Sequence, residues 1–518
     1  MTFKILDAST AGSVHLKKPS GGPKGLIGPP CHGAWPPEAK EFNMDVKEFR
    51  KRGHELVDWM ADYFENIEQY PVKSRAVPKE IIQQLPESAP EHAEPFEVIF
   101  KDFQEIIIPG MTHWQHPCFF AYFNANNSFP SVLAEMLTAT MGAQCMIWQT
   151  SPAAAELEER VMQWTAKLIG LPKNFEGVIQ ETASAATLCS LLSAREKFSD
   201  YGINKDGLYD FKKFTVYCSS ETHSSIEKAV KIIGLGKENL RKIEVDDTFA
   251  MVPGKLEETI LQDKQQGFVP LAVVVTIGTT GSTAIDPLEP VCHICQKHNL
   301  WLHVDAAYGG TALVLPEKRE IIKGIEMADT FVFNPHKWMF TNFDCSAYFV
   351  KDKEPLIRSL EILPEYLKTK EGSTVNNYRD WGIPLGRRFR ALKLWFVLRS
   401  FGVSGIRDKV KNHIQWAQEL AAEIQACEDF EILAPVPFST ICFRYKPKGI
   451  SDLEALNHLN QQLMESLNDS GKLYLTHTKL KGIYTLRLVI GQTNQEKRHI
   501  EQAWKWIKDA SGGQGGAF

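Results

Sequence analysis

The sequence predicts an α/β protein built on a mainly parallel sheet with helices on both faces, and two observations predict it. From about residue 129 to 392, helical and strand-like runs alternate, as expected of parallel strands joined by crossover helices. Within that stretch four apolar runs end on polar clusters. Residues 214–218 lead into Ser219-Ser220-Glu221-Thr222-His223-Ser224-Ser225, 271–276 into Gly278-Thr279-Thr280, 301–304 into Asp305, and 331–333 into Asn334-Pro335-His336-Lys337-Trp338. Ligands of open α/β sheets sit beyond the carboxyl ends of the strands, so these four ends are expected to share one crevice.

The other elements follow in chain order. Residues 1–43 carry Gly21-Gly22-Pro23 and Gly28-Pro29-Pro30 and are expected to be a flexible extension. They lack the arginine-rich or continuously apolar pattern of a targeting peptide. Behind Asn43 or Asp45 as cap, Val46, Phe49, Leu56, Val57, Met60, Ala61 and Phe64 recur at helical spacing. Residues 85–95 read as turn, and 96–108 as a second amphipathic helix stopped by Pro109-Gly110. Residues 44–128 are thus a helical arm with little core of its own, suited to packing on a second subunit. Residues 129–392 form the large domain. Residues 393–518 read as a smaller α+β domain, with helices over 390–398 and 410–424 and strands near 430–432, 440–443 and 485–489. The closing Gly512-Gly513-Gln514-Gly515-Gly516 is expected to be disordered.

At 518 residues the chain exceeds one compact core, and 43% hydrophobic with 23% charged residues is ordinary globular composition. A net charge of -5 gives no basic stripe for nucleic acid, and no apolar run approaches the roughly 18 residues of a membrane span. The 10 cysteines are scattered, which points to a reducing, cytoplasmic setting. Cys292-His293-Ile294-Cys295 has no companion pair, so it reads as a helix burying two thiols, and no metal is expected. The serines near His223 lack a nucleophile-elbow glycine pattern, which argues against a serine hydrolase.

Lys337 alone would read as a solvated surface residue. Asp305 changes that reading. An amine able to form a Schiff base, paired with a carboxylate able to keep a pyridine nitrogen protonated, is what pyridoxal phosphate requires.

Several stretches together resemble the group II pyridoxal-phosphate decarboxylases, and among them the aromatic-L-amino-acid decarboxylases. They are Asn334-Pro335-His336-Lys337-Trp338 with Asn342-Phe343-Asp344-Cys345-Ser346, His303-Val304-Asp305-Ala306-Ala307-Tyr308, Thr222-His223-Ser224-Ser225, Gly278-Thr279-Thr280 and Leu385-Gly386-Arg387-Arg388-Phe389-Arg390. The resemblance implies fold type I with a seven-stranded sheet, and an obligate homodimer whose sites lie at the subunit interface, with the amino-terminal arm wrapped on the partner. It makes Lys337 the Schiff-base lysine, Asp305 the partner of the pyridine nitrogen, and His223 the imidazole stacked on the ring, with Ala307 on the opposite face. Ala183, Ser184 and Asn334 would hold the phosphate, Thr280 and Asp286 would line the cofactor face, and His336 would adjoin them. Tyr366 would return a proton to Cα after CO2 departs, on a loop whose charged approach, residues 351–363, reads as a lid.

For the substrate, the resemblance points to Trp114, Tyr122 and Phe123 as an aromatic lining, continued by Asn124 and Ala125 where many members have proline after phenylalanine. Gln144 and Met146 stand where animal members tend to be apolar or aromatic. Gly386 occupies a position held by glycine or serine, and glycine leaves room for an indole or catechol. Tryptophan, tyrosine, phenylalanine and DOPA are all admitted, with tryptophan ranked first and histidine disfavoured. Because Tyr366 and His223 are both present, simple decarboxylation to the amine is expected. The runner-up is an aldehyde synthase that decarboxylates and oxidatively deaminates. An aminotransferase, or a silent dimeric binding protein that keeps the fold, fits the four residues less well.

Overall fold

The computed structural model describes residues 44–209, 213–362 and 374–514. It separates into two compact units, residues 1–59 with 90–93, and residues 60–89 with 94–518. In the first unit the described chain is mostly helical, opening α1 (Val46–Glu65). Val46, Phe49 and Val57 of the periodic apolar set are exposed.

The second unit holds both sheets. Before the first strand come α2 (Phe129–Met141) and α3 (Pro152–Ile169). The strands of the large sheet are β1 (Glu176–Gln180), β2 (Phe214–Ser219), β3 (Leu240–Ile243), β4 (Val269–Thr276), β5 (Trp301–Asp305), β6 (Thr330–Phe333) and β7 (Ser346–Val350). They lie in the order β1-β7-β6-β5-β4-β2-β3. Only β7 runs against its neighbours, because a short connection from β6 returns it beside that strand. The rest of the ladder is parallel, in register Thr276 to Asp305 and Asp305 to Val332.

Both faces are apolar, which explains the continuous hydrophobic runs. Val273 and Val275 enter one core cluster and Ala272 and Val274 another, since successive side chains point to opposite faces. One face is crossed by α4 (Ala183–Phe198); α5 (Pro253–Gln265) and α6 (Leu288–His298) pack on β4. Cys292 and Cys295 are buried in α6, and no cluster of metal-binding side chains occurs among the described residues.

The carboxyl-terminal part differs from expectation in three ways. Helix runs through Arg390–Ala426 as α7, interrupted at Gly402, whose φ of 63° and ψ of 170° break it into two. A further strand is present, so the small antiparallel sheet comprises β8 (Phe430–Ile432), β9 (Thr440–Tyr445), β10 (Thr476–Leu480) and β11 (Ile483–Val489), in the order β10-β11-β9-β8. Only its last residue is buried, so β10 lacked the apolar signal of its neighbours. After α8 (Leu453–Asp469), the final helix α9 (Lys497–Gln514) extends through Gly512-Gly513-Gln514, where disorder was expected. The expected flexible extension and Gly515-Gly516 lie outside the described residues.

Candidate active site

The four strand ends marked by the polar clusters converge, and the start of α4 after β1 joins them. A cavity of about 230 Å³ is lined by Thr182, Ala183 and Ser184 after β1, His223 and Ser225 after β2, and Thr276, Gly278 and Thr280 after β4. Asp305, Ala307 and Tyr308 after β5, and Asn334, His336 and Lys337 after β6, complete it with Phe123 and Phe343. Gly278 sits at φ +91°, and a Cβ there would meet the Gly309 backbone at 3.3 Å, so the β4 and β5 ends close up only because this residue is glycine.

Lys337 belongs to a short helix, Pro335–Trp338, that caps β6. Burial pushes its ammonium down to about 8; the nearby Asp305 carboxylate opposes this, while the Arg487 guanidinium adds to it. Its Nζ lies 5.0 Å from the centre of the Phe123 ring. Asp305 is buried at the end of β5, and its Oδ1 accepts the Ala307 N–H at 3.0 Å. That bond aims one oxygen at the backbone and leaves the other for the cavity.

His223 is held from one side. Its Nδ1 accepts the Ser225 N–H at 3.1 Å and lies 2.8 Å from Ser225 Oγ. Burial lowers its basicity, so the neutral ring carries its proton on Nε2. His336 is a different histidine: its Nδ1 accepts the Cys345 N–H at 2.9 Å, and burial pushes it down to about 3. It is a neutral brace between Lys337 and β7.

The far end of the cavity is built for an anion. Ala183 and Ser184 open the 16-residue α4, with Thr182 as cap accepting the Ala185 N–H. Free N–H groups and the helix dipole suit a phosphate dianion there. Asn334 Oδ1 accepts Ser346 Oγ–H at 2.5 Å, so its Nδ2 donor is the end left for the cavity. Thr276 Oγ1 is buried with no partner among the described residues, a polar atom waiting for a ligand. An amine, a carboxylate, an imidazole and an anion cradle thus face one space that fits pyridoxal phosphate.

Residues 78–446 match the family described as "Pyridoxal-dependent decarboxylase conserved domain". The chain belongs to that family. Tyrosine decarboxylase 4 of Petroselinum crispum is 44% identical over 479 residues, spanning 90% of this chain and 94% of that protein. Phenylacetaldehyde synthase of Rosa hybrid cultivar is 42% identical over 482 residues, spanning 90% and 94%. Among solved structures, Catharanthus roseus tryptophan decarboxylase in complex with L-tryptophan matches with a TM-score of 0.85 at 38% identity, over 90% of this chain and 98% of that one.

Other expected positions lie elsewhere in this decarboxylase. Asp286 does not line the cavity. Its two oxygens accept the Met251 and Thr276 N–H groups, each at 2.8 Å, and full burial pushes its carboxyl up to about 7. It shapes the β4 end from behind and delivers Thr276 to the site. Of the aromatic lining only Phe123 reaches the cavity, stacked on Tyr308 at 4.0 Å. Trp114 and Tyr122 stack on each other at 5.7 Å outside it. Asn124 is buried with its amide unpaired among the described residues, packed where a Cβ on Gly491 would collide with it, and the Ala125 carbonyl accepts the Gln115 Nε2–H. Neither lines the cavity.

Gln144, Met146 and Gly386 form a second group away from it. Cys145 N–H donates to the Arg387 carbonyl and Arg379 N–H to the Met146 carbonyl, tying the two segments side by side. The expected lid is in part a packed helix, Glu354–Leu360, whose Leu356 is buried in a cluster with Val178, Tyr378 and Trp381. Tyr366 lies outside the described residues.

Sequence reasoning missed Thr276, Ser225, Tyr308, Phe343 and Arg487. Arg487 comes from β11 of the other sheet; it is buried, donates Nε–H to the Gly281 carbonyl at 2.8 Å, and sits 5.2 Å over the Phe123 ring. Its Nη2 is buried without a partner among the described residues. An arginine in an otherwise apolar strand, Leu486-Arg487-Leu488, was the signal that could have found it.

Proposed function

We propose that this enzyme removes the α-carboxyl group of an aromatic L-amino acid as CO2 and releases the arylalkylamine. The observation that carries the reading is the meeting of Lys337, Asp305 and His223 from three strand ends in one cavity with an anion cradle. Bound there, pyridoxal phosphate supplies an aldehyde for the substrate amine and a ring that takes up the electron pair left when CO2 departs. Lys337 would tether the cofactor through its amine. Asp305 keeps a proton on the pyridine nitrogen. His223, oriented by Ser225, and Ala307 would flank the cofactor ring. Ala183, Ser184 and Asn334 hold the phosphate, with Thr280 and His336 beside them. Tyr366 is assigned the return of a proton to Cα.

The relatives act on aromatic substrates by their names, and Phe123 over Lys337 supports an aromatic ring in this site. Trp114 and Tyr122 extend that surface outward. The site is assigned to a homodimer, with residues 44–128 as the dimerisation arm. Two features support this. Phe129, Leu133, Met136, Leu137 and Met141 form an exposed apolar stripe along α2; Gln144 and Met146 follow it in sequence, Gly386 lies against Gln144, and all three sit exposed or half-buried outside their own cavity. The second group then completes the site of the other protomer. Nine free cysteines among the described residues support a reducing, cytoplasmic compartment.

Purified protein with added pyridoxal phosphate, given tyrosine, DOPA, tryptophan, phenylalanine and histidine in turn, is expected to release amine with little peroxide. Aldehyde with matching peroxide would establish the synthase reading, which the rose relative keeps in view. Absence of both would refute the proposal.

A further inference from the structure

Gly386 has no side chain, yet the room it leaves is already taken. A Cβ on Gly386 would stand 3.3 Å from Nε2 of Gln144, so an amide fills the space that the glycine opens. Gln144 is firmly held. Its carbonyl accepts Thr150 Oγ1 at 2.9 Å and Ser151 Oγ at 3.0 Å, and its Oε1 accepts the Arg387 N–H at 2.7 Å. Arg387 is fixed in turn, its Nη2 donating to Glu158 Oε1 at 2.5 Å and to the Ile179 carbonyl at 3.2 Å.

These bonds decide which way the amide points. A backbone N–H only donates, so the oxygen of Gln144 must face Arg387 and the nitrogen must face away. Nε2 has no hydrogen-bond partner among the described residues, and Gln144 is exposed, with its amide against Gly386. A fixed donor with no partner of its own is a reader of a ring that carries an acceptor.

We propose that Gln144 Nε2 is a specificity determinant that donates a hydrogen bond to a ring hydroxyl, so that the enzyme selects hydroxylated aromatic amino acids such as tyrosine and DOPA over phenylalanine and tryptophan. The inference rests on the shared-site reading above, in which Gln144 of one protomer faces the cavity of the other. A phenol oxygen accepts as well as donates. An indole N–H only donates and would oppose the amide, and a phenyl ring offers nothing to it. Read from Gly386 alone, the pocket has space for an indole; with Gln144 in that space, it favours a phenol.

The test compares kcat/KM for tyrosine and phenylalanine in holoenzyme dimers. Gln144→Leu keeps the volume and removes the donor, and the tyrosine-to-phenylalanine ratio is expected to fall about five- to ten-fold, the weight of one neutral hydrogen bond. Gln144→Glu keeps an acceptor for the Arg387 N–H but has no donor, so the ratio falls there too. An unchanged ratio in Gln144→Glu would mean that Gln144 only braces Arg387, and would overturn the proposal. A mixed dimer, purified through two affinity tags, joins a Lys337→Ala chain with intact Gln144 to a Gln144→Leu chain with intact Lys337. Its single working cavity is expected to regain the wild-type ratio. A ratio that stays at the Gln144→Leu value would overturn action across the interface. Loss of amine from every substrate in the unmodified enzyme would instead sink the decarboxylase reading itself.

Discussion

A lysine that must attack an aldehyde has to be neutral, and burial gives Lys337 that form within reach of physiological pH. Its pKa falls from 10.5 to about 8. At pH 7 about one-tenth of such a lysine is neutral, against about 0.03% at 10.5, a gain of roughly 300-fold in reactive amine. Cofactor-free protein mixed with pyridoxal phosphate in a stopped-flow spectrometer should therefore load at a rate that rises about ten-fold per pH unit below 8 and levels above it. Asp305 and Arg487 push the lysine in opposite directions, which adds a sign test. Removing the positive charge with Arg487→Gln should move the midpoint up, and Asp305→Asn should move it down. The same shift feeds into stability: between about pH 8 and 10.5 the unfolded chain holds a proton that the folded chain does not, so this group's contribution to stability rises with pH across that window. A loading rate that keeps climbing past pH 10, or an Arg487→Gln midpoint that does not move, would refute the electrostatic account.

Three further outcomes follow from buried polar contacts. Glu158→Gln strands the buried Arg387 charge and should destabilise the fold by about 3–5 kcal/mol in urea unfolding, with the Gln144 segment affected at the same time. Asp286→Ala orphans the Met251 and Thr276 N–H groups, at about 1–3 kcal/mol each, and should weaken cofactor binding in a fluorescence titration because Thr276 lines the cavity. Ser225→Ala removes the hydroxyl beside His223 Nδ1 but keeps the backbone N–H, so the turnover number should fall less than in His223→Ala, measured by CO2 release under saturating substrate.

The residues legible in the sequence are those that end a strand. Asp305, Lys337 and His223 each follow an apolar run, so one rule about strand ends gathers them before any coordinate is known, whereas Ala183 and Ser184 are legible only through the family resemblance. Asp286, which the resemblance placed on the cofactor face, lies ten residues past Thr276, and its hydrogen bonds turn it away from the cavity. Arg487 was marked as unusual by its apolar strand but not placed by it: it lies in a strand of the other sheet, and the packing of that sheet against the β4 loop carries it to Phe123.

Gln144 and Gly386 show where single-position reasoning fails. The absence of a side chain at 386 has no fixed meaning until its neighbour is known, since an empty space admits an indole and a space holding an amide donor admits a phenol. Segments far apart in the chain set that meaning together, through the Arg387 N–H bonded to Gln144 Oε1 and the Cys145 N–H bonded to the Arg387 carbonyl. The proposed selectivity for phenols therefore rests on the pair rather than on either residue. Gly386→Ser alone should crowd the Gln144 amide at 3.3 Å and displace it or hydrogen-bond to it. Gly386→Ser combined with Gln144→Leu should hand the polar contact to the serine. If the two substitutions changed the tyrosine-to-phenylalanine ratio additively, the positions would be independent and the coupling argued from their contact would fall.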